Sequence, residues 1–357
     1  MSVYLMMLFG VFVLGMAFES QRKKEGAYVY NGNDGFGCNI IFFFISCIFV
    51  GVSGFRYRVG ADFGSYYENY GYYVSDKLNI FKENEIGIRL IAKLAKIIHD
   101  TPQTYIFICS LVTIVLFLIT IKKYSDKVLM SLFLFVFLGM FLGSFNGMRQ
   151  YLACAVLFFG IRFVFENKPF KWCVCVLLAF FCHTAAMFML PMYWLVRMKN
   201  RKKFIFVLII VAVFAFTSYD RIFDMIDTLK GNTDVSVSDK LYAQNSVNIF
   251  RVVVAWMPVF LCYFPTKIKK GISEKDTILM NYVYVAAVFQ TVSMNSTYLA
   301  RFCTFTTSTN ILTIPTLLKY QTSNNKKVLT ILIYVGYFLY WLAEATGPFV
   351  ANYQWCF

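Results

Sequence analysis

Charged residues are scarce in this sequence: they make up 15% of the 357 residues, whereas hydrophobic residues make up 59%. The apolar residues form blocks of about 15–20 residues separated by short basic connectors, a length suited to membrane-spanning helices. No stretch between the blocks is long enough to bury a core of its own, which excludes a separate soluble domain. The composition therefore predicts one all-α polytopic integral membrane domain over residues 1–357.

Several catalytic motifs are also missing. The sequence has no HExxH, no glycine-rich phosphate loop, no GxSxG and no Asp-x-Asp, which excludes the usual sites for a metal-bound nucleotide sugar or a hydrolase nucleophile. Its ten cysteines lie almost entirely in or beside apolar blocks and form no CxxC pattern, so neither a disulfide framework nor a cysteine metal site is predicted. We expect no metal and no cofactor.

The net charge of +15 comes from lysine clusters spread one per loop, which indicates membrane topology and not a nucleic-acid surface. We predict about ten long transmembrane helices from the apolar blocks. They lie near residues 3–18, 38–54, 103–121, 128–145, 150–165, 204–219, 249–265, 277–293, 302–318 and 328–345. The first block lacks a basic n-region and is followed by basic residues, which predicts an uncleaved span with its amino terminus outside.

One further apolar block, residues 172–196, has basic residues at both ends. A single crossing would put one basic cluster on the wrong side of the membrane, so we predict a short helical hairpin. Its turn lies near Cys182-His183-Thr184 and points outward, and Pro191 disturbs the second arm.

With this hairpin, most arginines separate from most lysines. The predicted inside loops hold 17 lysines and 3 arginines, whereas the outside segments hold 6 lysines and 7 arginines. The outward arginines are Arg56, Arg58, Arg89, Arg149, Arg221, Arg251 and Arg301. Because the planar arginine fork suits phosphate oxygens, we expect an outward anion site to which the outer loops 55–102 and 220–248 contribute. Within this set, Arg89, Arg221 and Arg251 are expected to be interfacial or loop residues.

The segment Ile86–Ile98 is predicted to form an amphipathic helix on the outer interface, because its basic residues share one face and its leucines another.

Two polar motifs stand at the outer ends of predicted spans. After the second span, Arg56 and Arg58 precede Asp62, which offers a guanidinium pair near a carboxylate; the alternative is that both arginines extend to the lipid interface. At the start of the fifth span, Asn146 is expected to cap the helix, and Arg149 stands at its amino terminus, where an anion is favoured.

Other polar residues could complete an outward site. Arg301 opens a span after a very short outer connection, and Glu344, Asn352 and Tyr353 could line the same cavity. His183 is a candidate base at the hairpin turn, although a lone intramembrane histidine can also be a packing residue. The other histidine, His99, is expected to be structural.

At these residues the sequence resembles the EpsG family of bacterial exopolysaccharide polymerases, which are Wzy-like enzymes. The resemblance is carried by Arg58-Val-Gly-Ala-Asp62 with Tyr66, Glu85-Ile-Gly87, Asn146-Gly-Met-Arg149-Gln150, His183 and Tyr298-Leu-Ala-Arg301. These motifs cover most of the chain, but Phe63 stands where tyrosine is expected, which leaves a hydroxyl role there in doubt.

The resemblance implies a metal-independent glycosyltransferase at the outer face of the bacterial cytoplasmic membrane. It would transfer a growing glycan from polyprenyl diphosphate, such as undecaprenyl diphosphate, onto a lipid-linked repeat unit. The implied fold is similar, by analogy only, to the O-antigen ligases and GT-C-like membrane glycosyltransferases. The implied partners are the lipid-linked oligosaccharide, the bilayer, and a chain-length regulator and flippase of the same pathway.

On this hypothesis, four arginines hold the diphosphate: Arg58, Arg149, Arg301 and, as a weaker candidate, Arg56. Either His183 or Asp62 accepts the proton from the attacking hydroxyl, and His183 is favoured because an aspartate beside Arg58 should be too acidic. The remaining candidates bind substrate: Tyr66, Glu85, Asn146, Gln150 and Tyr298.

Three other functions remain open. A flippase or exporter of lipid-linked oligosaccharides needs polar groups through to the inside, yet the inner halves of the spans are nearly free of charge apart from Arg162. A membrane O-acetyltransferase could use His183, but a cytoplasmic thioester donor would favour an inward opening. A non-catalytic scaffold explains the topology but not the outward arginines.

Overall fold

The architecture is helical, as the composition predicts. The structure is a computed structural model that describes residues 1–25, 34–75, 86–229, 249–263, 271–295 and 297–357. Within these ranges there is no β-strand, and one isolated bridge pairs Arg56 with Trp355. The all-helical, polytopic class is therefore confirmed.

The helices follow one another along the chain with short connections. They are α1 (Ser2–Lys24), α2 (Phe36–Gly54), α3 (Phe63–Glu68), α4 (Tyr70–Val74), α5 (Ile86–Ile98), α6 (Pro102–Tyr124), α7 (Val128–Phe137), α8 (Met140–Asn146), α9 (Met148–Phe165), α10 (Pro169–Cys182), α11 (Met192–Val196), α12 (Arg201–Leu229), α13 (Ile249–Tyr263), α14 (Glu274–Val292), α15 (Thr297–Thr307), α16 (Asn310–Leu317), α17 (Ser323–Ala345) and α18 (Pro348–Ala351).

Six membrane spans are supported by length and composition in the part of the chain that the structure describes: α1, α2, α6, the α7–α8 pair, α9 and α17. They match six of the ten predicted spans. The other four also fall on helices, in α12, α13, α14 and the α15–α16 pair. The total of ten crossings stays a prediction.

The predicted outer loop 220–248 is helical in its first part, because α12 continues to Leu229. The rest of that loop, from residue 230, lies outside the described residues.

The predicted hairpin is present. Helix α10 ends at Cys182, His183 has an extended backbone, and a 3₁₀ helix over Thr184–Met189 leads into α11 after Pro191. The two arms lie side by side, because the Trp172 indole N–H at the start of α10 donates to the Met189 carbonyl over 3.2 Å.

Two predicted spans are broken. The span predicted at 128–145 forms α7 and α8, separated by Gly139 in the left-handed region (φ 78°), which glycine adopts without a Cβ clash. The span predicted at 302–318 forms α15 and α16, separated at Ser308 and Thr309. Breaks at membrane depth are tolerated where the backbone is buried in protein or lines a cavity, and residues beside both breaks line the cavity described below.

The carboxyl-terminal tail packs on the loop after α2. The Tyr57 N–H donates to the Gln354 carbonyl over 2.9 Å, and the Cys356 N–H donates to the Phe55 carbonyl over 3.0 Å. The Tyr353 hydroxyl donates to the Val52 carbonyl over 2.7 Å. The tail therefore anchors the loop that carries Asp62.

Helix α5 matches the predicted amphipathic segment. It buries Ile88, Ala92 and Ala95 against the bundle and leaves Leu90 and Ile97 exposed at 61% and 82%. A helix with an exposed apolar stripe beside basic residues is suited to a lipid interface.

Candidate active site

A cavity of about 680 Å³ opens at one end of the helix bundle. The carboxyl ends of α2, α8 and α17 lie at this end, together with the amino ends of α9 and α15. The charge distribution predicts that it faces outside, and we call it the outer end. Four of the predicted site residues line the cavity: Asp62, Asn146, Gln150 and Arg301.

The loop that carries Asp62 is held by a glycine and an asparagine. Gly60 has φ 107°, and a Cβ there would stand 2.6 Å from the Phe145 carbonyl oxygen, so the loop approaches α8 as closely as only glycine allows. The Ala61 N–H donates to Asn146 Oδ1 over 2.7 Å.

The predicted capping role of Asn146 is therefore wrong. The residue that precedes α9 is Gly147, with no side-chain cap, because the Asn146 carboxamide is bonded to the loop before Asp62.

Asp62 lies at the cavity wall between opposing electrostatic effects. Burial raises the pKa of its carboxyl group above the ordinary value of 3.8, and the positive charges of Arg149 and Arg301 lower that pKa in part. Although Asp62 is accessible to solvent, the net direction is upward. A carboxylate with a raised pKa is a better proton acceptor than an ordinary aspartate.

The expectation that Arg58 makes Asp62 strongly acidic is not met. The Arg58 side chain is exposed, and its guanidinium lies over the Tyr57 ring with 5.4 Å to the ring centroid. Arg58 has a left-handed backbone (φ 53°) and does not line the cavity. The sequence pattern missed this because a two-residue spacing does not specify where each side chain points.

Arg149 lies at the start of α9 and is not one of the residues that line the cavity. It is partly buried and hydrogen bonded to Tyr66 of α3. Burial raises the pKa of Tyr66 to about 12, with the charge of Arg149 opposing the shift. Arg149 therefore joins α3 to α9, and its charge acts on Asp62.

Gln150 holds Arg301 at the cavity mouth. Its Nε2 donates to the Arg301 carbonyl over 2.7 Å and to Thr304 Oγ1 over 2.9 Å. The start of α9 is thus tied to α15, and the exposed Arg301 side chain stands on the cavity lining. The structure thus brings residues of three sequence motifs, Asp62, Arg149 and Arg301, close enough for both arginines to act on the Asp62 carboxyl group.

Arg251 was expected to be an interfacial or loop residue; it stands near the start of helix α13, and its place beside the cavity was not predicted. Arg251 lines the cavity and forms a two-point ion pair with Glu344, with Nη2–Oε2 at 2.7 Å and Nε–Oε1 at 3.2 Å. Glu344 lines the same cavity, as the sequence predicted. The position of Arg251 at the start of a span, like that of Arg149, is the signal that could have identified it.

Arg56 is a buried structural residue. Its side chain is 1% exposed, donates to the Ser53 carbonyl and to Ser110 Oγ, and lies over the Phe145 ring at 4.7 Å. These contacts join α2, α6 and α8, and Arg56 does not line the cavity. The alternative prediction, that the Arg56 side chain extends to the lipid interface, is also wrong, because this side chain is buried.

The remaining candidates do not meet at the cavity. His183 is half-buried at the hairpin turn and is not part of the cavity lining. Helix α5 packs against this turn, since a Cβ on Gly87 would lie 3.1 Å from the Cys182 sulfur. Glu85 and the side chain of Tyr298 lie outside the described residues. Tyr353 anchors the tail, and neither it nor Asn352 lines the cavity.

An apolar groove of about 740 Å³ adjoins the cavity. It lies between α13 and α17, and Val254 lines both spaces. Its walls are almost entirely aliphatic and aromatic, with Met257, Leu332 and Tyr337 among them.

The sequence matches the model of the EpsG family over residues 39–355, which is nearly the whole chain. A search of curated proteins and a search of solved structures gave no match.

Proposed function

The chain belongs to the EpsG family, which indicates an exopolysaccharide polymerase, and on that premise we propose that the outer cavity is its active site. We propose that the enzyme transfers a growing glycan from polyprenyl diphosphate onto a lipid-linked repeat unit at the outer face of the bacterial cytoplasmic membrane. Metal independence is part of this proposal, as are a chain-length regulator and a flippase as partners.

The observation that carries the proposal is the proximity of both Arg149 and Arg301 to the Asp62 carboxyl group, on whose pKa both charges act. A carboxylate with a raised pKa lies within the electrostatic influence of two arginines beside one cavity. Glycosyl transfer from a diphosphate needs both functions, a proton acceptor for the attacking hydroxyl and positive charge for the leaving group.

In the proposed step, the acceptor hydroxyl oxygen forms a bond to the anomeric carbon of the donor sugar. The bond between that carbon and the diphosphate oxygen breaks, and the diphosphate leaves with the electron pair. The hydroxyl proton goes to the Asp62 carboxylate. Arg301 contacts the diphosphate at the cavity mouth, and Arg149 adds positive potential from behind Asp62.

Asp62 replaces His183 as the favoured base. His183 was preferred because Arg58 was expected to make Asp62 too acidic to act as a base. Burial instead raises the pKa of Asp62. His183 also stands outside the cavity lining. Arg58 stays a candidate for an outer contact with the diphosphate, and Arg56 is assigned a structural role.

The other predicted substrate residues then act mainly by positioning. Asn146 holds the loop of Asp62, Gln150 holds the backbone of Arg301, and Tyr66 holds the Arg149 side chain. Catalytic groups need such support, because small misplacements lower the rate strongly.

The lipid tail is assigned to the groove between α13 and α17. Its apolar walls suit a polyprenyl chain, and its junction with the cavity at Val254 would let the diphosphate stay beside Arg301 while the tail remains in the membrane.

The decisive experiment incubates the purified protein in lipid nanodiscs with a lipid-diphosphate-linked repeat unit, without metal or nucleotide. We expect a ladder of products, with heat-inactivated protein as the control. A single transfer without a ladder would indicate a ligase or another transferase. Movement of the lipid across vesicles without a covalent product would indicate a flippase.

A further inference from the structure

The floor of the outer cavity carries polar atoms without protein partners. Asn310 is fully buried, and neither its Oδ1 nor its Nδ2 has a hydrogen-bond partner within the described part of the chain. The same holds for Thr307 Oγ1 and for the indole N–H of Trp341, which is 1% exposed. All three residues line the cavity.

This arrangement is unusual for a packed membrane protein. Buried polar side chains almost always have partners, because leaving them without any costs stability. The buried Asn281 of α14 is the ordinary case: its Nδ2 donates to the Val196 carbonyl over 2.8 Å and to the Met198 carbonyl over 3.1 Å. Asn310 has no such partner, and it is one of the residues that line the cavity.

The floor lies deep and is neutral. Asn310 follows Arg301 by nine positions and starts α16, so it lies further along the chain into the bundle than Arg301, beyond the break that ends α15. The charged residues of the cavity lining, Asp62, Arg251, Arg301 and Glu344, belong to the outer ends of their elements. No lysine or arginine lines the cavity near the α15–α16 break in the part of the chain that the structure describes.

The chemistry of the floor selects an uncharged, hydroxyl-rich group. An asparagine amide offers donors and an acceptor side by side, an indole adds one donor and a flat face, and threonine adds a hydroxyl. A phosphate would lack a cation here, and a hydrocarbon tail would leave every one of these groups without a bond. A sugar ring satisfies them, because neighbouring hydroxyl or acetamido groups donate and accept together and the ring has an apolar face.

We propose that the floor around Asn310, Thr307 and Trp341 is a saccharide subsite that holds one sugar ring of the lipid-linked repeat unit. This inference rests on the proposed function and adds the position at which a sugar is recognised. The two helix breaks bordering the cavity, at Gly139 and at Ser308 and Thr309, open the space for that ring. The floor of the cavity then recognises the neutral sugar, and the mouth recognises the charged diphosphate.

The test compares Asn310→Leu with the matched control Asn281→Leu. Leucine is close in size to asparagine and removes the unpartnered amide, so Asn310→Leu should keep or raise the melting temperature while KM for the lipid-linked unit rises about tenfold or more. Asn281→Leu should lower the melting temperature and leave KM of the folded fraction unchanged. Trp341→Phe, which keeps a ring and removes the N–H, should raise KM by a smaller factor.

A binding measurement separates this proposal from the polymerase proposal. Methyl glycosides of glucose, galactose, N-acetylglucosamine and N-acetylgalactosamine are tested by ligand-observed NMR, with inorganic pyrophosphate as a separate probe. We expect binding of at least one glycoside to be lost in Asn310→Leu, while pyrophosphate binding is retained.

The outcomes are distinct. Product ladders from the wild type together with unchanged KM and unchanged glycoside binding in Asn310→Leu would overturn the subsite, leaving the floor filled by water only, and would keep the polymerase. A melting temperature of Asn310→Leu as low as that of Asn281→Leu would also overturn it. Asn310-dependent glycoside binding without any ladder from the wild type would keep the subsite and overturn the polymerase.

Discussion

Two charged cavities lie at opposite ends of the helix bundle, and their basic residues are arranged differently. The outer cavity, of about 680 Å³, has Asp62 beside it under the influence of Arg149 and Arg301. The inner cavity, of about 530 Å³, is lined by lysines at helix ends, among them Lys127 and Lys326. Burial and the neighbouring charge of Lys326 lower the pKa of Lys127, so like charges stand together there.

The two arrangements of basic residues have different explanations, membrane topology for the inner cavity and a chemical role for the outer cavity. Lysines at inner helix ends follow the positive-inside rule and need no ligand to explain them. The outer arginines converge with a carboxylate whose pKa is raised, on a cavity whose floor has unpartnered polar groups. The outer cavity should therefore be sensitive to conservative substitutions that the inner cavity tolerates.

The largest effect is expected for the base. Asp62→Asn keeps the shape but cannot accept a proton, so turnover should fall by about 10²–10⁴-fold with normal membrane insertion. The measurement is kcat for product ladders in nanodiscs, and Glu19→Gln, a carboxylate of the inner cavity, is the control. Full turnover in Asp62→Asn together with its loss in His183→Gln would transfer the role to His183.

A large loss is also expected for Arg149→Lys. Lysine keeps the charge but not the planar fork that bonds Tyr66, so the positive group shifts and polymerisation should fall about 10²-fold. The rate of ladder formation at equal protein levels measures this. In the reverse exchange at the inner end, Lys326→Arg should behave as the wild type. Wild-type activity in Arg149→Lys would remove Arg149 from the site.

The pH dependence should move in a defined direction. Asp62 must be ionised to accept a proton, so kcat/KM should rise with pH through the pKa of Asp62, with a midpoint above the ordinary 3.8. Arg301 lowers that pKa, so Arg301→Gln should move the midpoint to higher pH and lower kcat/KM. A pH–rate profile of both proteins checks this. An unchanged midpoint would mean that another group titrates.

A moderate effect is expected for Gly143→Ala. A Cβ at this position would stand 2.0 Å from the Tyr151 hydroxyl oxygen, so the ring must move within the cavity. The expected loss of stability is about 1–3 kcal/mol, with KM raised several-fold. Thermal unfolding and substrate titration measure the two effects, and Gly51→Ala, at a glycine with no neighbour within 4 Å of the added Cβ, is the control.

The smallest effect is expected at the inner end. Lys326→Gln should change the free energy of unfolding by no more than about 0.5 kcal/mol and leave turnover unchanged, because surface substitutions of this kind are usually small. Denaturation and ladder assays provide the measurements. A strong loss of turnover would mean that the inner cavity takes part in the reaction. It would contradict the conclusion that only the outer cavity has a chemical role.

Much of the candidate site could be predicted from the sequence, because its residues stand where helices begin. Asp62, Arg149 and Arg301 lie at boundaries of apolar blocks, and helix termini at one end of a bundle meet in space. The hairpin around His183 was predictable for a similar reason, since basic residues at both ends of one block require an even number of crossings.

The sequence could not indicate which way the side chains point. Arg56 and Arg58 are two positions apart, yet one is buried against Phe145 and the other is exposed over Tyr57. Arg251 was missed because its partner Glu344 lies 93 positions away. Asn310 lies inside an apolar block, and only the tertiary structure shows that it stands at a helix break and belongs to the lining of a cavity.

Hydropathy is enough to establish a helical membrane protein, and the distribution of lysine and arginine predicts its topology, because both properties depend on short stretches of chain and on the membrane. The helix breaks, the raised pKa of Asp62 and the unpartnered floor depend on tertiary packing. They arise from contacts between helices that are far apart in the chain, and burial by those contacts sets both the pKa and the hydrogen-bonding partners of each polar group.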